Sequence, residues 1–176
     1  MLTGYFCTRK ADSMFVYAIL AVLLILVDQI TKILTRVHVD LGESVPFIPH
    51  VLELTYIKNT GAAFSILEEH TWLLTVFSAI IVLVIAWLVL KKFFTNWLGM
   101  LSATLILAGG VGNLIDRAVF GYVTDMIKTI FMDFPVFNFA DCCITVGVVL
   151  LVIYVLFFYK DEKKEEDHGT DLPADR

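Results

Sequence analysis

Charge is scarce in this sequence. Only 18% of the 176 residues are Asp, Glu, Lys or Arg, and the net charge is −5. Nothing is basic enough to suggest nucleic-acid binding. Three cysteines, Cys7, Cys142 and Cys143, are too few for a disulfide framework. The last two are adjacent, too close for an ordinary bridge, and read as small helix residues. No Cys-x-x-Cys or His-Glu-x-x-His occurs, and His38, His50, His70 and His168 are scattered, so no metal motif is present. There is no internal repeat, and no heptad seam that would demand an oligomer.

Apolar length is what the chain has in quantity. Hydrophobic residues make up 59% of it. Three stretches, 71–90, 97–115 and 142–159, carry no charge over the ~20 residues that cross a bilayer. A fourth, 14–27, runs into Asp28 and reaches full length only by carrying Asp28 and Lys32 in its last turns. Arg9 and Lys10 before it raise a signal-peptide alternative. No small-residue cleavage site follows, and Asp-Gln-Ile-Thr-Lys continues in helical register. The expected architecture is an all-α integral membrane protein of one domain, 1–176. Its four transmembrane helices span about 14–34, 71–90, 97–117 and 139–159.

Lysine and arginine placement gives an orientation. Arg9 and Lys10, then Lys91 and Lys92, then Lys160, Lys163 and Lys164 fall on one side, expected to be cytoplasmic, with both termini there. The tail at 160–176 holds seven acids against four bases and reads as solvated disorder. On the other side, 35–70 is the longest segment outside the spans. Pro46 and Pro49 break helix there, Leu52-Glu53-Leu54-Thr55-Tyr56 alternates like a strand, and Asn59-Thr60-Gly61 reads as a turn. A small β-cradle on the membrane surface is expected. The second outer loop, 118–137, mixes aromatics with few charges and is expected to lie in the interface as a short, partly helical segment.

Polar residues gather at the span ends. Asp28 and Lys32 are four apart and share a helix face. They form either an intrahelical ion pair or a brace for a site in the bundle. Asn113, Asp116 and Arg117 share another face, about 30 Å from Trp97 and so at the outer interface. Arg117 offers a forked donor to a carbonyl or an anionic headgroup, unless Asp116 simply neutralises it. Gly109, Gly110 and Gly112 before them permit close helix packing. Asp125 lies just past the third span and Asp141 at the start of the fourth, three residues after Asn138, where capping alone would also explain an acid. A carboxylate at a bilayer edge is costly unless it faces protein, water or a partner. Two that converge would share a proton and activate water. Asp133, mid-loop and without a motif, is set aside.

These stretches resemble one family. Asp28-Gln29-Ile30-Thr31-Lys32, Asn59-Thr60-Gly61-Ala62-Ala63-Phe64, Gly109 through Arg117, Val123-Thr124-Asp125-Met126 and Phe137-Asn138-Phe139-Ala140-Asp141 are similar, in order, to the motifs of bacterial lipoprotein signal peptidase, or signal peptidase II. The resemblance implies a four-helix membrane aspartic endopeptidase of the bacterial cell (inner) membrane with an extracytoplasmic active site. It would remove the signal peptide of prolipoproteins before a diacylglyceryl-modified cysteine. It implies Asp125 and Asp141 as the catalytic pair. It gives Asn59, Gly61, Asn113, Arg117, Asn138 and Ala140 roles in substrate binding or support, and Asp28, Lys32 and Asp116 supporting roles. Partners would be prolipoproteins, membrane lipids and globomycin-type inhibitors. No cofactor is implied, and no oligomer is required. One departure is Cys142, where the family commonly has serine, which bears on hydrogen bonding at the helix start.

A rival reading is a small transporter, with Asp28, Lys32, Asp116 and Arg117 along a polar pathway. Against it, the charges cluster at one end of the spans, and spans two and four are uncharged through their cores.

Overall fold

The computed structural model describes residues 3–61 and 71–159, without side chains for 3–13. Ala62, Ala63 and Phe64 of the second motif, the side chains of Arg9 and Lys10, and the acidic tail lie outside the described residues. The order is α1 (Thr3–His38), β1 (Ser44–Ile48), β2 (Leu52–Asn59), α2 (Thr71–Leu90), α3 (Trp97–Phe120), β3 (Val123–Thr129) and α4 (Phe139–Phe157). All four helices are long and apolar enough to cross a membrane. The expected class therefore holds: a four-helix membrane protein with a small sheet.

Helix α3 is the centre and packs against each of the other three. Asn96 starts it by accepting the N–H groups of Leu98 and Gly99, and Gly121, at φ 76°, ends it. The left-handed cap residue turns the chain sharply into β3. Helix α2 has no charged and no fully buried residue, as suits a helix that packs on α3 along one side and turns the rest of its surface to lipid. Two glycines of α3 set the spacing of the bundle. A methyl group on Gly109 would collide with the carbonyl of Ala140 on α4, and one on Gly112 would stand 2.5 Å from Asp28 Oδ2 on α1. At the end away from the sheet, Phe94, Leu98, Ala103 and Tyr154 form a buried cluster.

The sheet is antiparallel in the order β1-β2-β3. It joins the last turn of α1, the approach to α2, the end of α3 and the start of α4, so it caps one end of the bundle. The second outer loop differs from expectation. Beyond Phe120 its described residues contain a strand and no helix. Val123-Thr124-Asp125-Met126 is buried on both faces, and its backbone is satisfied by ladder bonding to β2, by the Asp116 carboxylate at Thr124 N and by Phe137 O at Met126 N. Helix α1 also runs to His38, into what was read as the outer segment. Strand β1 was masked in the sequence by Pro46, which an edge strand tolerates.

Candidate active site

Strand register puts the first side chains together. Asn59 pairs with Val123 and Ile57 with Asp125, so Asn59 and Asp125 are diagonal neighbours on one face of the sheet. The chain then leaves β3 and returns. Phe137 exchanges backbone bonds with Ile127 (2.8 and 3.1 Å), which delivers Asn138 beside Asp125. Asn138 is the N-cap of α4, and with Asp141 it forms a capping box. The fold thus brings Asp125 and Asp141 to the two sides of one asparagine. Asn138 Nδ2 donates to Asp125 Oδ1 at 2.6 Å, and Asn138 N donates to Asp141 Oδ2 at 3.0 Å.

Each carboxylate has a second amide. Asn59 Nδ2 donates to Asp125 Oδ2 at 2.7 Å, and Asn113 Nδ2 donates to Asp141 Oδ1 at 2.8 Å. Gly61 N donates to Asn59 Oδ1 at 2.9 Å, closing a tight turn that aims the amide. Asp125 is only 2% exposed. Burial, and then the charge of Asp141, push its pKa up to about 6, against the opposing hydrogen bonds from Asn59 and Asn138.

Both aspartates open onto a cleft of about 560 Å³. Asn59, Gly61, Asn113, Arg117 and Asn138 border it with them, and Phe134, Val136, Ile144 and Val146 supply an apolar wall. Arg117 Nε is buried and bonded to no protein acceptor, which leaves a donor at the cleft. Cys142 also lines the cleft. Its substitution leaves the helix start intact, because the capping box uses Asn138 and Asp141 and not the residue after them. Among the described residues no group of three His, Cys, Asp or Glu is placed to hold a metal ion.

The remaining expected residues lie behind the cleft, all buried. Lys32 Nζ is 2.9 Å from Asp28 Oδ2, 3.8 Å from Asp116 Oδ2 and 2.9 Å from Asn113 Oδ1. The Asp28–Lys32 pair is therefore both intrahelical and a brace, since Asp28 Oδ1 also accepts Ala140 N at 3.0 Å on α4. Asp116 does not neutralise Arg117 by an ion pair. Among the described residues its partners are Lys32, Thr124 N (2.9 Å) and Arg36 (3.5 Å). Arg36 was missed as part of the site. Its Nη1 donates to Thr124 Oγ1 at 2.7 Å, and its guanidinium lies 4.5 Å from the Phe120 ring centroid. The one available signal was its position, four residues after Lys32 on the same face of α1.

Known proteins match this chain in sequence and in fold. A family model described as Signal peptidase (SPase) II matches residues 20–157. A lipoprotein signal peptidase of Enterococcus faecalis is 42% identical over 158 residues, covering 89% of this chain and 96% of the relative. One from Streptococcus pyogenes is 43% identical over 150 residues, covering 85% and 93%. Two solved structures, each titled a bacterial membrane enzyme, superpose with TM-scores of 0.76 and 0.74. They are 32% and 35% identical, and the matches cover 91% and 81% of this chain and 94% of each structure. With motifs, fold and relatives in agreement along nearly its whole length, the chain belongs to the signal peptidase II family of lipoprotein signal peptidases.

Proposed function

We propose that Asp125 and Asp141 act as an aspartic dyad that hydrolyses the signal-peptide bond before the diacylglyceryl cysteine of a prolipoprotein. Family membership makes the chain a multi-pass membrane peptidase that removes prolipoprotein signal peptides. The observation that carries the finer reading is the shared asparagine: Asn138 bonds to both carboxylates at one cleft. Two carboxyls so close share a proton. One, ionised, takes a proton from water, and the other polarises the scissile carbonyl. Arg117 has a free donor for a substrate carbonyl. The apolar wall suits a peptide whose acyl chains stay in the bilayer, at a site on the bilayer edge.

The sheet end of the bundle faces the extracytoplasmic side of the bacterial cell membrane, with both termini cytoplasmic. Lys91 and Lys92 at the opposite end of α2 support this orientation. Globomycin-type cyclic peptides would compete for the cleft, and a monomer suffices. The deciding experiment is cleavage of a diacylglyceryl-modified prolipoprotein by purified protein in detergent. The parent cleaves before the lipidated cysteine, and folded Asp125→Asn and Asp141→Asn do not. Folded variants that still cleave would move the chemistry to other residues.

A further inference from the structure

Asn59, Asn113 and Asn138 each present an amide NH2 to an aspartate, and in each the amide oxygen is held by a group that can only donate. For Asn59 it is Gly61 N–H at 2.9 Å, and for Asn138 it is Asp141 N–H at 3.1 Å. For Asn113 it is the ammonium of Lys32 at 2.9 Å. Turning any of these amides over would set donor against donor and oxygen against carboxylate. Each is therefore held one way round. Two of the locks are neutral backbone groups, and the third is a fully buried cation.

The pair is unequal as a result. Asp141 lies one amide away from a buried ammonium, and it also accepts a backbone N–H in the first turn of α4, where the helix dipole favours negative charge. The amides on Asp125 are locked by neutral groups, and the charge of Lys32 reaches it only through space, as the smallest of the influences on a carboxyl that burial and Asp141 push up.

We propose that Lys32 is a positioning residue: acting through Asn113, it makes Asp141 the member that takes the proton from water and leaves Asp125 as the member that supplies one. This rests on the dyad reading above. The carboxylate of Asp141 removes a proton from water as the water oxygen bonds to the scissile carbon, and the carboxylic acid of Asp125 protonates the carbonyl oxygen. Asp141 then returns its proton to the departing nitrogen as the C–N bond breaks, and Asp125 recovers its proton as the carbonyl re-forms. Atoms and charges balance with water alone. The rise of Asp125 to about 6, from burial and the charge on Asp141, suits it to carry the proton.

The other charged or titratable groups around Asp141 are Arg117 and Asp116 on α3, Asp125 on β3, Asp28 on α1 and Cys142 and Cys143 on α4, with Arg36 beyond Asp116. Arg117 borders the cleft with both aspartates. Asp28 offsets part of the field of Lys32. What only Lys32 supplies is the direction it imposes on Asn113.

The test is kcat and KM against pH for the full chain in detergent, on a diacylglyceryl-modified prolipoprotein. Lys32→Met leaves Asp28 and Asp116 facing an apolar group and risks misfolding. The paired change Asp28→Asn with Lys32→Met removes both charges together. Asn113→Ala breaks the link and keeps the ion pair. In these variants kcat falls about 10–100-fold, the size of effect seen when a metal ligand loses the outer-shell partner that orients it. KM stays within about twofold, and the acid limb of the profile moves up by about one pH unit. Lys32→Arg, still a donor-only cation, keeps the limb near the parent's. A folded neutral variant whose acid limb coincides with the parent's overturns the role of Lys32, whatever its kcat. If the parent cleaves and the aspartate variants do not, that result leaves the dyad standing. A parent that never cleaves removes the dyad reading as well.

Discussion

Asn138 and Asp141 close a ring on each other: Asn138 Oδ1 accepts Asp141 N–H at 3.1 Å, and Asp141 Oδ2 accepts Asn138 N–H at 3.0 Å. The start of α4 and one wall of the candidate active site are thereby the same piece of structure. The ring also consumes the oxygen of the Asn138 amide, so its NH2 must point away, at Asp125.

Cap and site can be separated by two substitutions at Asn138. Alanine removes both the cap and the donor to Asp125. It should cost about 1–2 kcal/mol of stability, as lost N-caps do, and abolish most cleavage. Serine can still cap but has no NH2 to reach Asp125. Asn138→Ser should recover most of the thermal stability and little of the activity. Equal recovery of both would show that the asparagine serves only the helix.

The pH dependence follows from Asp125. Its folded pKa of about 6 lies above its ordinary value of 3.8. The folded state therefore binds the proton more tightly than the unfolded chain. The stability tied to this group is fully present below about pH 4 and is lost as pH rises to about 6, by an amount on the order of 3 kcal/mol. Thermal unfolding of the parent, compared with Asp125→Asn across this range, should show the parent losing ground and then running parallel. If Asp125 supplies a proton, kcat/KM should also fall above about pH 6. A profile flat between about pH 5 and 7 would count against that role.

Much of this was legible in the chain. Helix count and span length follow from uninterrupted apolar runs, and the described residues of the five polar motifs lie where the fold converges. What stayed hidden depended on partners far away in sequence. Nothing near Asp116 says that it meets Arg36 and Lys32 from α1 and Thr124 from β3 instead of its neighbour Arg117. The outer aromatics at 118–137 read as a partly helical interfacial segment because single-sequence patterns do not reveal that β2 waits as a ladder partner for β3. Burial on both faces had also removed the alternation that marks a strand.

Close packing at Gly112 gives a steric prediction. A methyl group there meets Asp28 Oδ2, the carboxylate that also holds Lys32 and Ala140 N. Gly112→Ala should destabilise by about 1–3 kcal/mol, the range for overpacking, and should lower cleavage as Asp28 shifts. Gly121→Ala is the contrast. Its Cβ would meet nothing within 4 Å, so it bears only the strain of φ 76°, about 1 kcal/mol. Comparable activity losses in the two would argue against Gly112 acting through Asp28.

Arg117 separates substrate holding from proton chemistry. It borders the cleft and keeps a buried donor without a protein acceptor, whereas the amides that orient the aspartates come from Asn59, Asn113 and Asn138. If its task is to hold a substrate carbonyl before and during reaction alike, its loss should raise KM and leave kcat nearly unchanged. Arg117→Lys keeps the charge but loses the planar fork and the Nε donor, so it should not rescue. An increase of about tenfold in KM corresponds to about 1.4 kcal/mol, close to the lower end of the range for one hydrogen bond to a charged group. Steady-state kinetics on the lipidated substrate would measure it. A fall in kcat at constant KM would instead place Arg117 on the oxyanion that forms in the transition state, and would add it to the proposed aspartic dyad as a further catalytic group.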